Sequence, residues 1–258
     1  MLRFRSLGSG SSGNVTVIEA ASGLHTTRLL VDCGLSTKVL LERLGRAGLG
    51  AEQIDAVFVT HEHSDHIGCA REFALRFCTP VWMSLGTHLA AGEGNFAGHL
   101  RLAQDGVNID LGELQVKPFT VPHDAREPLQ LRCSDGSRHV GVLTDLGHAT
   151  AHVLANLAGC HALLLECNHD AAMLAEGAYP PFLKQRVGGR FGHLSNFDAA
   201  QLAKSLDHPG LTHVIAAHLS RQNNRPGLAR EALALALGRA NAEIGVATQD
   251  DGFDWVDV

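Results

Sequence analysis

Apolar and polar side chains alternate over residues 2–7, with Leu2, Phe4 and Ser6 on one face and Arg3, Arg5 and Leu7 on the other, as in a strand. The small-residue stretch Gly8-Ser9-Gly10-Ser11-Ser12-Gly13-Asn14 then predicts a loop. Residues 15–20 and 28–32 read as two more strands about a turn at Ser22-Gly23, and Cys33-Gly34 breaks the second after Asp32. Ser36 is placed to cap a helix to residue 47, whose Val39, Leu40 and Leu44 share a face. Residues 55–60 form a short apolar strand, 67–77 a helix, 80–84 a strand and 86–91 a helix, while the glycine-rich 92–98 fits no element.

Residues 113–121 alternate as a strand ending at Pro122-His123-Asp124, and 129–133 with 139–144 predict a hairpin across Asp135-Gly136 that ends at Asp145. A helix over 149–157 precedes an apolar strand over 161–167, and residues 168–194 are less regular. Ser195 or Asn196 can cap a helix to 206, and 212–217 is a buried strand ending at His218. Pro226 opens a helix over 227–239, and 244–248 supplies a last strand. With no repeat or linker, strands leading each half and helices covering them predict an α/β chain: an αββα four-layer sandwich, residues 1–258 as a single domain.

A length of 258 residues with 45% hydrophobic content allows a substantial core. The net charge of -6 argues against a broadly basic nucleic-acid coat but permits a local basic patch. Six cysteines without a Cys-x-x-Cys pair read as reduced thiols of a cytoplasmic protein, and no stretch reaches membrane-spanning length, so no membrane partner is expected.

The pattern changes character at Thr60-His61-Glu62-His63-Ser64-Asp65-His66, where a polar cluster follows directly on an apolar strand. Imidazole and carboxylate suit zinc, manganese or iron. His123, Asp145 and His218 each stand one step past an apolar strand, as the cluster does, so several strand ends can build one site. His61 and His63 point the same way from an extended segment, while Asp65-His66 begin a helix.

In this order, His61-x-His63-x-Asp65-His66, His123, Asp145 and His218 resemble the metallo-β-lactamase superfamily over nearly the whole chain. The resemblance implies a sandwich of the metallo-β-lactamase type holding two divalent metal ions. It assigns His61, His63 and His123 to one ion, Asp65, His66 and His218 to the other, and Asp145 to a bridge, with Asp32 orienting a ligand through a hydrogen bond. The helical His-Glu-x-x-His signature is excluded because residue 65 is Asp. Residues 7–14 and Gly192-His193-Leu194-Ser195-Asn196, together with 166–170 and 218–224, look like the YycJ/WalJ branch of exonuclease-like metallohydrolases.

Two divalent ions balanced by Asp65, Asp145 and a bridging hydroxide leave about one positive charge, which favours a phosphate-type substrate. Such a pair brings the pKa of bound water towards roughly 7. The resemblance therefore implies a dinuclear phosphodiesterase or nuclease of DNA exonuclease type. Asp65, Asp145 and His193 are the candidate catalytic residues, His193 protonating the leaving oxygen or holding a phosphate. Ser9, Ser11, Ser12, Asn14 and Arg221 are the candidate substrate-binding residues, and Lys184, Arg186, Arg190 and Arg225 add local positive charge. The 73-residue step from Asp145 to His218 is too short for the large inserted domain of RNA-processing relatives. Two alternatives stay open: a hydrolase of a small ester, thioester or cyclic phosphodiester, and a non-catalytic metal-bound binding module.

Overall fold

A computed structural model describes residues 1–92 and 94–258; Glu93, within the stretch that fits no element from sequence, lies outside them. The chain opens with β1 (Leu2–Gly8), β2 (Val15–Ser22), β3 (His25–Val31) and α1 (Thr37–Arg46). There follow β4 (Ala56–Phe58), α2 (Ser64–Ile67), α3 (Ala70–Phe77), β5 (Val81–Met83), α4 (Leu85–Ala91) and β6 (Leu100–Leu102). Next come β7 (Ile109–Asp110), β8 (Gln115–Thr120), β9 (Leu129–Ser134), β10 (His139–Leu143), α5 (Ala151–Leu157) and β11 (Ala162–Glu166). The rest is α6 (Ala171–Glu176), α7 (Pro181–Val187), α8 (Asn196–Leu206), β12 (His213–Ala217), α9 (Pro226–Leu237), β13 (Ile244–Val246) and β14 (Phe253–Asp257).

Two seven-stranded sheets result, ordered β14-β1-β2-β3-β4-β5-β6 and β13-β12-β11-β10-β9-β8-β7. Each changes from antiparallel to parallel partway across, at β3–β4 and at β10–β11. The parallel strands bury both faces, which is why they read as unbroken apolar runs. Ala56 and Phe58 of β4 pack with Leu164 of β11 in a core between the sheets. Val57 and Val59 turn outward onto Leu40, Leu44 and Phe73 of α1 and α3. Leu163 and Leu165 turn outward onto Val153, Ala199 and Leu233 of α5, α8 and α9. Three cores between four layers make the αββα sandwich.

Capping follows the sequence: Ser36 and Ser195 accept from Val39 N and Asp198 N, and Pro226 takes the first turn of α9. Two expectations are corrected. The helix over 67–77 is two helices, α2 and α3, because Gly68 adopts φ 30 and Cys69 N donates to Cys33 O at 2.9 Å. The break is thus a contact with the loop after β3, invisible to helical periodicity. Residues 244–248 are not the last strand: the chain turns at Thr248–Gly252 and β14 crosses to pair antiparallel with β1. Strands β6 and β7, too short to show a period, exist through pairing with β5 and β8. No helix among the described residues is long and apolar enough to cross a membrane. All six cysteines are free, five of them buried.

Candidate metal centre

The C-terminal ends of β3, β4, β10, β11 and β12 deliver Asp32, the Thr60–His66 segment, Asp145, Glu166 and His218 to one edge of the sandwich, and the loop after β8 adds His123. Ligand sites at the carboxyl ends of parallel strands are the rule for sheets of this kind. Asp32 and His218 leave their strands with φ of 63 and 52, the left-handed region that non-glycine residues rarely adopt. Each is held there by bonds from distant segments: Asp32 N donates to Phe58 O at 2.7 Å, and His218 N to Ser9 Oγ at 2.8 Å.

Most of the imidazoles are oriented from behind. His66 Nδ1 donates to Asp32 Oδ2 at 2.8 Å, His123 Nδ1 to Gly192 O at 3.0 Å and His218 Nδ1 to Thr144 O at 2.7 Å. His61 Nδ1 lies 3.0 Å from Thr60 Oγ1, whose hydroxyl lies 3.0 Å from each Asp32 oxygen. These partners leave Nε2 of all four rings facing the centre, whereas His63 presents Nδ1, 3.0 Å from His61 Nε2 and 3.3 Å from His123 Nε2. Asp145 lies between the groups, with Oδ2 3.0 Å from His66 Nε2 and Oδ1 3.3 Å from His218 Nδ1. Asp65 Oδ2 stands 3.5 Å from His218 Nε2 and 3.6 Å from His66 Nε2.

Residues 27–218 match the profile of the Beta-lactamase superfamily domain. The chain belongs to this superfamily. A superfamily relative from Bacillus anthracis, named exodeoxyribonuclease YycJ, is 32% identical over 249 residues, covering 95% of this chain and 93% of its own. One from Streptococcus pneumoniae serotype 2 (strain D39 / NCTC 7466), named exodeoxyribonuclease WalJ, is 30% identical and covers 95% and 91%. The solved metallo-beta-lactamase fold protein YhfI from Bacillus subtilis superposes over the whole of both chains with a TM-score of 0.76 at 18% identity, a likeness of fold.

The donor set on this metallo-beta-lactamase fold fits divalent metal ions. His61, His63 and His123 form one group of atoms within 4.8 Å of one another; Asp65, His66 and His218 form a second, and His61, His66 and Asp145 a third. Asp145 Oδ2 and His218 Nε2 are buried without a hydrogen-bond partner among the described residues, as atoms aimed at a cation would be. Burial, reinforced by His66 and His123, holds His61 well below its ordinary pKa, so its ring is neutral and ligand-competent. Burial would raise Asp145, but His218 and His66 overcome it and keep the carboxyl well below the carboxylate range. For His66 and His218 the same attraction works in reverse: burial lowers them, yet Asp145 and the other carboxylates push both well above 6.5. A proton and a metal therefore compete for these two rings.

A cleft of about 370 Å³ opens over the cluster, lined by Ser11, His63, Asp65, Asp145, Arg186 and His193 among others. A larger groove of about 780 Å³ runs between α8 and α9, but none of the clustered histidines reaches it. His193 joins the site, its Nδ1 donating to Glu166 Oε1 at 2.7 Å, and Glu166 overcomes the effect of burial to raise its pKa. Of the residues expected to bind substrate, only Ser11 lines this cleft. Ser9 is buried behind His218, and Asn14 is buried with Nδ2 3.1 Å from His66 Nε2. Ser12 is exposed, its N–H donating to Gln249 Oε1 at 2.7 Å. Arg221 pairs with Asp250 at 2.6 Å and lines a separate groove. Glycine and serine composition suggests a rim; the fold turns the loop inward as a brace.

Glu166 has no role from sequence beyond its place in the 166–170 segment, yet the fold seats it against the cluster. Its Oε1 meets His193 Nδ1 and His218 Nδ1, and its Oε2 accepts from Leu146 N and Leu194 N. It stands at the end of an apolar strand, the same signal that exposed Asp145 and His218. Asp124 was also without a role; it lies 3.4 Å from His123 Nε2 and accepts from Arg186 Nε at 2.6 Å. Glu62 braces the loop after β8 by accepting from Arg126 N at 2.7 Å.

Proposed function

We propose that residues 1–258 form one catalytic unit, a metal-dependent phosphodiesterase of exodeoxyribonuclease type with DNA as its substrate. His61, His63 and His123 would hold one divalent ion and Asp65, His66 and His218 a second, with Asp145 shared; zinc or manganese suits this all-His/Asp set best, and iron is compatible. The observation that carries the reading is the convergence of donors from both sheets beneath an open cleft. Near full-length similarity to relatives named exodeoxyribonuclease supports the nuclease assignment.

When bound, the ions supply Lewis acidity and bring the pKa of water to about 7. The chain's own part is positional. Asp32 and Glu166 fix ring orientation by accepting from Nδ1, which turns Nε2 of His66 and His218 toward the metal positions. There the proton these rings otherwise hold would yield to a cation. His193, held by Glu166 through Nδ1, has Nε2 free to give a proton to the departing sugar oxygen or to steady a phosphate. Arg186, fixed by Asp124 at the cleft wall, attracts the phosphate chain. The free cysteines accord with a cytoplasmic setting.

Metal-loaded protein is expected to release nucleotides from DNA with added manganese, zinc or magnesium, and Asp65→Ala or His123→Ala to lower the rate by at least about 10³-fold, the scale at which essential groups act. Intact single- and double-stranded DNA and RNA after prolonged incubation would refute the nuclease reading. Turnover of a small ester, thioester or cyclic phosphodiester with polynucleotides untouched would select a small-molecule hydrolase instead. A His193→Ala defect that disappears on p-nitrophenyl phosphodiesters, whose leaving group needs no proton, would assign His193 as the acid.

A further inference from the structure

Between Glu176 and Asp198 the chain has no acidic residue, but it carries Lys184, Arg186, Arg190 and three phenylalanines, in a molecule of net charge -6. This stretch contains α7, none of whose residues is fully buried. Phe182 on α7 is 72% exposed and Phe191 just beyond it is 59% exposed. Packing within the fold therefore does not account for either ring.

Their position does. Leu183, Arg186 and Val187 of α7 line the cleft over the metal centre. Phe182 lies four residues before Arg186, one turn along the same helix face. Phe191 directly precedes Gly192, which lines the cleft and whose carbonyl accepts from His123 Nδ1. Each ring is thus carried by a residue adjacent in the chain to one that lines the cleft, Phe182 beside Leu183 and Phe191 beside Gly192. Arg186 is held by Asp124 at 2.6 Å, and Arg190 is exposed with no ion pair among the described residues.

Resting on the polynucleotide reading, we propose that residues 181–191 form a wall that receives a single-stranded end. Phe182 and Phe191 stack unpaired bases while Arg186 and Arg190 meet the phosphates that lead to the metals. Aromatic rings alternating with cations beside a phosphate-cleaving centre are the means by which proteins hold single strands without reading sequence. A paired duplex hides its base faces, so the rings discriminate in favour of unpaired ends.

The test is steady-state degradation of a single-stranded oligonucleotide by the metal-loaded protein. Phe182→Ala and Phe191→Ala should each raise KM about tenfold, and more together, with a much smaller change in kcat. Phe182→Trp and Phe191→Trp should restore KM, and their added fluorescence should be quenched by the strand. Arg190→Gln should reduce the slope of log affinity against log salt by about 0.7, one single-strand phosphate contact. Unchanged KM in the double alanine variant with unquenched tryptophans overturns the proposal. It is equally overturned if that variant keeps its KM but sediments as a smaller assembly, which would assign the rings to a second copy of the chain. If the parent protein degrades DNA but these variants match it, only the strand wall fails; if the parent degrades no polynucleotide, the nuclease reading fails and the wall with it.

Discussion

A histidine that offers Nε2 to a cation needs its Nδ1–H satisfied elsewhere, and most of this site's chemistry is settled at that single atom. Asp32, Thr60, Gly192 and Thr144 each take one such bond. Glu166 takes the Nδ1–H of His193 and shares that of His218 with Thr144. Glu166→Gln keeps the size, but its amide nitrogen cannot accept from the N–H groups of Leu146 and Leu194. We expect metal content or DNA-cleaving rate to fall about 10- to 100-fold, the usual effect of losing a ligand's supporting partner. Elemental analysis beside rate measurement checks it, and parent-like values for both would deny Glu166 a role in holding the site. The metal-capable side chains were legible in the sequence because residue type and a strand-end position are local properties. The orientation of Ser9 and Asn14 was not, because whether a short polar side chain lines a rim or braces a histidine depends on what packs behind it.

At the scale of elements, backbone meets backbone where the loops after β1, β3 and β4 come together. Asn14 N donates to Asp65 O at 2.8 Å, Cys33 N to His66 O at 2.8 Å and Gly34 N to Asn14 O at 3.0 Å. A Cβ on Gly34 would stand 1.7 Å from Asp65 O. Gly34→Ala should therefore cost about 3 kcal/mol or more in urea unfolding and lower the metal content by moving Asp65. A parent-like midpoint would show that the loop yields freely. Far from the site, Asp135 closes the β9–β10 hairpin by accepting from Ser137 N and Arg138 N, and it pairs with the amino group of Met1 at 3.2 Å. Burial works against its charge, but these partners pull its pKa from 3.8 down to about 2. A depressed carboxyl stabilises the fold above its unfolded value and loses that contribution as pH falls through the folded one. Asp135→Ala should unfold at lower urea than the parent at neutral pH, the two midpoints converging between about pH 4 and pH 2. A gap that persists at about pH 2 would contradict this assignment. The sequence predicts the hairpin and helices α1, α4, α5, α8 and α9 within a residue or two of their observed ends, but not α6 and α7, which lie in the stretch it reads as less regular. Nor does it predict the division at Gly68, which answers to Cys33 rather than to its own neighbours.

Across the whole molecule, the candidate metal ligands come from both sheets: His61, His63, Asp65 and His66 follow β4, whereas His123, Asp145 and His218 follow strands of the other sheet. Bound metal would tie the two halves together and bind the folded state alone. At a hundredfold excess over Kd this adds about 2.7 kcal/mol. For a chain of this size, chelation should then lower Tm by roughly 5–10 °C. Calorimetry with and without chelator, and again after restoring metal, is the check; an unmoved Tm would mean that metal does not bridge the sheets.

The amino-acid sequence alone determined which metal-capable residues follow apolar strands, their order along the chain and the layered architecture. Each of these follows from local information: side-chain type, strand periodicity and the point where an apolar run stops. Tertiary structure alone decided which donors meet, which serines brace and which line the cleft, where β14 pairs, and how Asp32 and His218 hold left-handed backbones. Those outcomes depend on partners such as Ser9 Oγ and His218 N, 209 residues apart in the chain. A contact of that separation exists only after the two sheets have closed on their shared core, so no window of sequence contains it.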